Sequence, residues 1–310
     1  MTDSPSTVTS SQLRRWLFTF ALALVATDFV AGHVLARLYA TVGSGQLAGM
    51  VNSTVAARAD VLVLGASTAR HHVDDRELTR RLGARVFNTG LDGRGIVFSR
   101  GLLALAHRAH PPKLVVLDVS YSDRDRTSAR LLAPFYGRDP VVDEVLGWSW
   151  REKFKLLSLT YRFNGLVIPI FTNLNSPPVV SGYEALVGAL PDTTLPRGPA
   201  RSSDGFGPWY GQQLRKLVKE ARAGGARIMF VESPTWGGTV AQVALDEYAR
   251  VARELDVPYA RLTPDREPQL AHARLYYDRV HLNREGAVVF TGLLEPILRR
   301  ELAAADSTKR

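Results

Sequence analysis

Two distant stretches hold the side chains that a covalent mechanism would use. Ser67 follows the apolar run Val61-Leu62-Val63-Leu64 and the small pair Gly65-Ala66. Asp278 and His281 stand three apart in Tyr277-Asp278-Arg279-Val280-His281-Leu282-Asn283. On a turn entering a helix, that spacing brings a carboxylate to an imidazole. The carboxylate then accepts a bond from one ring nitrogen and leaves the other as a base. Such a base lets a serine hydroxyl, otherwise a poor nucleophile, attack a carbonyl near neutral pH. Each fragment also has a plainer reading. Ser67 suits a turn or helix cap, Asp278 an N-terminal cap, and His281 an exposed surface. Taken together they gain weight, because in a five-stranded parallel sheet the turn after strand one and the loop before the last helix share one edge.

A third stretch is Phe87-Asn88-Thr89-Gly90-Leu91-Asp92-Gly93-Arg94-Gly95. Its glycines allow the backbone to approach a reacting oxygen closely, or simply form a tight turn. The amides of Ser67 and Gly90 are the candidate oxyanion donors, each such donor being worth about 3–4 kcal/mol. The order Gly-x-x-Gly-x-Gly is not a dinucleotide fingerprint, and no phosphate-binding Walker loop is present. Arg70 is a candidate contact for an anionic substrate, and Trp236 a candidate platform for a sugar. His71-His72 reads as a solvated turn whose rings point apart. Asn283 or a neighbour is placed to cap the closing helix.

These residues need elements to hold them. Strands are expected over 61–65, 85–88, 113–119, 226–232 and 257–262. Helices are expected near 74–82, 96–109, 207–224, 239–255 and 284–303. Strands alternating with helices imply an α/β fold with a parallel sheet, and an unbroken apolar strand implies cover on both faces. Residues 121–206 break the rhythm with prolines at 134, 140, 169, 177, 178, 191, 196 and 199. That stretch reads as an insertion of short helices over the sheet's C-terminal edge.

The chain has 310 residues, no cysteine and a net charge of +9. Disulfides and thiolate metal sites are therefore excluded. Lysine and arginine never form a run of five, so the basic balance reads as a dispersed surface rather than a nucleic-acid patch. Residues 1–13 read as a disordered tail. From Trp16 to Ala40 the chain is apolar enough to cross a bilayer, interrupted by Asp28 and His33. Arg14 and Arg15 precede it and mark the cytoplasmic side. The expectation is a signal-anchor helix over 14–40, a linker over 41–59, an extracytoplasmic domain over 60–303 and a tail over 304–310. Asp28 is costly in a membrane and is expected to face a membrane partner, such as a membrane acyltransferase.

Gly65-Ala66-Ser67, Asn88-Thr89-Gly90 and Asp278-Arg279-Val280-His281-Leu282-Asn283 together resemble the three corresponding blocks of the SGNH (GDSL-like) hydrolase superfamily. With the N-terminal anchor, the chain resembles its membrane-tethered members, among them DltD-like and alginate-acetylation proteins. The resemblance implies a flavodoxin-like three-layer α/β/α sandwich with a five-stranded parallel sheet. It also implies acyl transfer to or from an acyl-ester or glycan substrate without metal or cofactor. Ser67 matches the nucleophile, His281 the base, Asp278 its orienting carboxylate, and Gly90 the second oxyanion donor. The family's Asn after strand three is not matched. The chain there reads Ser120-Tyr121-Ser122-Asp123, so either Ser120 or Ser122 supplies a hydroxyl or the donor is missing. The rival expectation is a non-catalytic module of a cell-envelope assembly that keeps the fold without the reaction.

Overall fold

The computed structural model describes residues 9–120, 125–190, 207–236 and 242–307. The first eight residues of the expected tail, and Ser122 with Asp123, lie outside that set, as do Pro191, Pro196 and Pro199 of the insertion. Five strands form one parallel sheet: β1 (Val61–Leu64), β2 (Val86–Asn88), β3 (Leu114–Asp118), β4 (Arg227–Glu232) and β5 (Tyr259–Arg261). Their order is β2-β1-β3-β4-β5, with β1 paired to β2 and β3, so that Val63 lies between Asn88 and Val116. This is the flavodoxin-like order, whose switch point lies beside β1, where ligands bind at the strands' carboxyl ends.

β1 shows why the strands are unbroken apolar runs. Leu62 and Leu64 enter one buried cluster with residues of the helices α5 (Ile96–Ala109), α9 (Gly207–Ala223) and α10 (Gln242–Glu254). Val61 and Val63 enter the opposite cluster with Leu78 of α4 (Asp75–Leu82) and Phe290, Leu294 and Leu298 of α11 (Arg284–Ser307). Both faces are covered, so neither parity of the strand is polar.

Three features depart from the sequence-based expectation. First, residues 41–59 are not a free linker. They contain α2 (Met50–Ala57), whose Val51, Ser53 and Thr54 are buried in the α5 layer. Second, the insertion holds the expected short helices, but most of them pack against the α5 layer rather than over the sheet's C-terminal edge. It contains a 3-10 stretch (Arg126–Phe135) and the short helices α6 (Pro140–Leu146), α7 (Trp150–Lys155) and α8 (Val167–Thr172). The buried Arg100 of α5 pairs with Glu144 of the insertion and Glu220 of α9, which locks the three together. Third, the N-terminal helix α1 (Ser10–Ala40) is long and apolar enough to cross a membrane, and it does not leave Asp28 for an outside partner. Ser158 Oγ donates to that carboxylate at 2.6 Å and the Leu159 amide at 2.8 Å, joined by the amide and hydroxyl of Thr160.

Candidate active site

Gly65 closes β1 at φ +158°, and a Cβ there would meet Ala69 Cβ at 2.7 Å and Asp118 Cβ at 2.9 Å. Only glycine lets the chain turn this tightly against β3. The turn opens α3 (Ser67–His72), with Ala66 at its N-cap and Ser67 in its first turn. Ser67 is the one residue between Val61 and Val73 that is not buried. Amide groups in a helix's first turn have no acceptor within the helix, and the Ser67 N–H is one of them.

The loop before α11 arrives from the other side of the same edge. His281 Nε2 lies 2.8 Å from Ser67 Oγ, across 214 positions of sequence. His281 Nδ1 lies 2.9 Å from Asp278 Oδ2. Asp278 Oδ1 accepts the amides of Val280 at 2.7 Å and His281 at 2.8 Å, which forms the turn that the three-residue spacing requires. Burial pushes the Asp278 carboxyl up, but the bonds from His281 and these two amides outweigh it and hold the group below the usual carboxylate range. It therefore stays ionised and fixes the proton of His281 on Nδ1, leaving Nε2 to accept from Ser67. Asn283 anchors the loop: its Nδ2 donates to Gly188 O and Arg274 O, and its Oδ1 accepts the Gly286 amide at 3.0 Å, capping α11. His281 is 21% exposed and Asp278 is 45% exposed, so one flank of the arrangement is open to water.

His71 and His72 are both buried, against the expectation of a solvated turn. His72 Nε2 accepts the Leu282 amide at 2.9 Å and so supports the His281 loop from beneath. His71 Nδ1 is 2.7 Å from the Glu184 carbonyl oxygen, and its ring lies 5.4 Å edge-on from that of His281. Burial pushes both imidazoles down, which disfavours positive charge beside His281.

Gly90 stands where the sequence places it, packed so closely that a Cβ would lie 2.4 Å from the Arg70 amide nitrogen. Its own amide, however, donates to Asn88 Oδ1 at 2.9 Å. Asn88 is buried, and its Nδ2 donates to Ala69 O at 2.7 Å and Val73 O at 2.8 Å, the carbonyls that end α3. The second stretch thus holds the helix of Ser67 in place, and its glycine amide is already engaged. Ser120 Oγ is likewise engaged, accepting the Ser233 amide at 2.8 Å.

Arg70 is buried and bonded to Asp92 and Glu184 rather than facing open solvent. Trp236 stands at the edge of the site. Its amide donates to Arg279 O at 2.9 Å, and its ring tilts against Tyr276 at 5.4 Å. Two buried carboxylates beneath the site escaped the sequence reading. Asp75 accepts the Asn88 amide at 2.8 Å and the Gly182 amide at 3.0 Å. Asp118 accepts the Ser120 amide and the Ser233 hydroxyl, each at 2.8 Å. Burial pushes both carboxyls up. The signal available for Asp118 was an acid closing an otherwise apolar strand. Among the described residues, no cluster of three or more His, Asp or Glu could hold a metal ion.

Neither a protein-family model nor a curated protein matches this chain. Among solved structures it is similar to a family two carbohydrate esterase from Cellvibrio japonicus, at 13% identity and a TM-score of 0.37. That match covers 78% of this chain and 61% of the other, so the chain spans less than two thirds of that protein.

Proposed function

We propose that this protein is a membrane-anchored serine acyl-ester hydrolase or O-acyltransferase of the SGNH type, working outside the cytoplasm on an acylated glycan or envelope substrate. One observation carries the reading: Ser67 Oγ at 2.8 Å from His281 Nε2, with Asp278 at 2.9 Å from the opposite ring nitrogen. Ser67 Oγ attacks the acyl carbonyl while its proton passes to Nε2. The tetrahedral oxyanion takes the Ser67 amide. Its collapse expels the alcohol, which carries away the proton from Nε2. Water or a glycan hydroxyl then attacks the acyl-enzyme, with His281 again as base, and Ser67 is restored. Asp278 holds the ring and stabilises the imidazolium formed at each step.

A second reading has its own observation. The Gly90 amide is committed to Asn88 and the third block lacks its asparagine, so among the described residues the expected second oxyanion donor is already engaged. This favours a non-catalytic SGNH-like binding or assembly module. A fluorophosphonate probe separates the two. In the catalytic reading the wild type is labelled and Ser67→Ala is not. An unlabelled wild type that is folded leaves the module reading standing and removes the first.

A further inference from the structure

The insertion carries an exposed apolar surface that the reaction does not use. Trp150 is 73% exposed, Phe154 70%, Leu157 67%, Ile168 76% and Phe171 56%. Soluble surfaces rarely gather such residues. Arg151, Lys153 and Lys155 are exposed among them, and aromatic and aliphatic side chains mixed with cations are the signature of a surface lying in a membrane interface.

What covers this surface follows from the length of α1. From Trp16 to Thr27 every residue is exposed; these twelve residues rise only about 18 Å. A bilayer's hydrocarbon needs about 30 Å, or about twenty residues. Counted from Trp16, after Arg15, twenty residues end at Leu35. Yet the body already covers α1 at Asp28, and a Cβ on Gly32 would lie 2.3 Å from Leu159 Cβ. Further along, the ring of Tyr39 meets that of Phe163 at 5.9 Å. The stretch of α1 that must lie in lipid therefore overlaps the stretch that touches the insertion. The carboxylate of Asp28, sited at that depth, receives donors from Ser158, Leu159 and Thr160, which satisfies both it and the non-helical turn facing it.

We propose that α7, the 156–163 turn and α8 form a lipid-embedded seat, entering the near leaflet of the bilayer beside α1. The inference rests on α1 being a membrane span. The seat also fixes where the chemistry happens. Ser176 Oγ accepts the Gly43 amide at 3.0 Å, just past α1, and the Glu184 carbonyl oxygen meets His71 beside the triad at 2.7 Å. The eight residues from one to the other reach at most about 28 Å. The triad is thus within about 28 Å of the chain just past α1, near enough for a membrane-borne or membrane-lying ester to be its accessible substrate.

The absence of native cysteine makes the test direct. Single cysteines replace Phe20 in α1, Ile168 and Phe171 in the seat, and Val288 on exposed α11. Each full-length variant is labelled with a polarity-sensitive dye and reconstituted in phosphatidylcholine–phosphatidylglycerol vesicles containing nitroxide-bearing lipid. The expected result is quenching of Phe20→Cys, Ile168→Cys and Phe171→Cys at least about twofold stronger than of Val288→Cys. If Phe20→Cys is quenched while Ile168→Cys and Phe171→Cys match Val288→Cys, the seat is overturned and the span stands. If Phe20→Cys is not quenched, the span falls and takes the seat with it. Seat positions shielded from aqueous iodide but not reached by the lipid nitroxide would show a second copy of the chain there instead of lipid, which also overturns the proposal.

Discussion

Asp278→Asn tests the site most sharply, because the substitution keeps the loop and inverts the chemistry. The asparagine Oδ1 can still accept the amides of Val280 and His281, now bonded at 2.7 and 2.8 Å, so the turn survives. Its Nδ2, however, takes the place of Oδ2, 2.9 Å from His281 Nδ1. A donor there requires Nδ1 to accept, so the ring proton moves to Nε2. Nε2 then donates toward Ser67 Oγ and no longer accepts from it. The lost charge can be sized separately. With charge centres about 4 Å apart and an effective dielectric constant of about 40 for a half-exposed pair, the imidazolium loses about 2 kcal/mol, or ~30-fold in rate. The reversed tautomer adds to this, so Asp278→Asn should fall by ~10³ in kcat/KM for an activated acetyl ester. The rate of fluorophosphonate labelling should fall in parallel. An Asp278→Asn variant within about threefold of wild type would refute the assigned role of the carboxylate.

Further outcomes follow from the same geometry. Ser67→Ala should abolish probe labelling and leave the thermal midpoint unchanged, since the side chain is only half-buried and packs no core. Gly65→Ala puts a Cβ 2.7 Å from Ala69 Cβ and should cost about 1–3 kcal/mol in a urea melt while slowing labelling through displacement of Ser67. Asn88→Ala strands the Gly90 amide and the Val73 carbonyl in a dry interior and removes one of the two bonds to Ala69 O, and should lower stability by about 3 kcal/mol. The pH dependence has a definite sign. The Asp278 carboxyl is held low in the folded chain, so its stabilisation is complete above the ordinary carboxylate pKa of about 4 and is lost as pH falls through its folded value. Urea melts should show wild type and Asp278→Asn separated at pH 7 and converging as the pH drops below about 4.

The strands could be read from the sequence because burial on both faces leaves an unmistakable mark: β1 and β3 are unbroken apolar runs, and each is found within a residue of its expected bounds. The parallel α/β arrangement follows from alternation of such runs with helices, and the observed sheet agrees. Ser67, His281 and Asp278 were named as candidates from residue type and spacing, and the fold brings their side chains together. What spacing could not convey was which polar groups are already spent. The Gly90 amide looked free because the side chain that takes it, Asn88, closes the expected strand over 85–88, and nothing in the pattern shows that it turns back on the glycine two positions on. His71 looked solvated because no local pattern shows that Glu184, more than a hundred residues on, closes over it, and His72 because the Leu282 amide that it accepts lies still farther along the chain. Asp28 looked orphaned for the same reason: its donors at 158–160 lie in a segment without periodicity, and only the tertiary fold delivers them.

The exposure of the triad bears on which second half-reaction follows. Asp278 is 45% exposed and His281 is 21% exposed, so water reaches the base from one flank. An acyl-enzyme formed on Ser67 therefore has a route to hydrolysis built in, and transfer prevails only where an acceptor hydroxyl occupies that flank and excludes water. Position can supply such an acceptor. A site held beside a bilayer meets membrane-borne acceptors at a high effective concentration, which raises transfer against hydrolysis without any new residue in the site. The tie that would hold it there runs from Ser176 at the end of α1 to Glu184 beside His71 and Arg70. In the proposed reading, the features that the reaction leaves unused, the buried Arg70 cluster, the bonded Asp28 and the apolar seat, are the ones that place it in space.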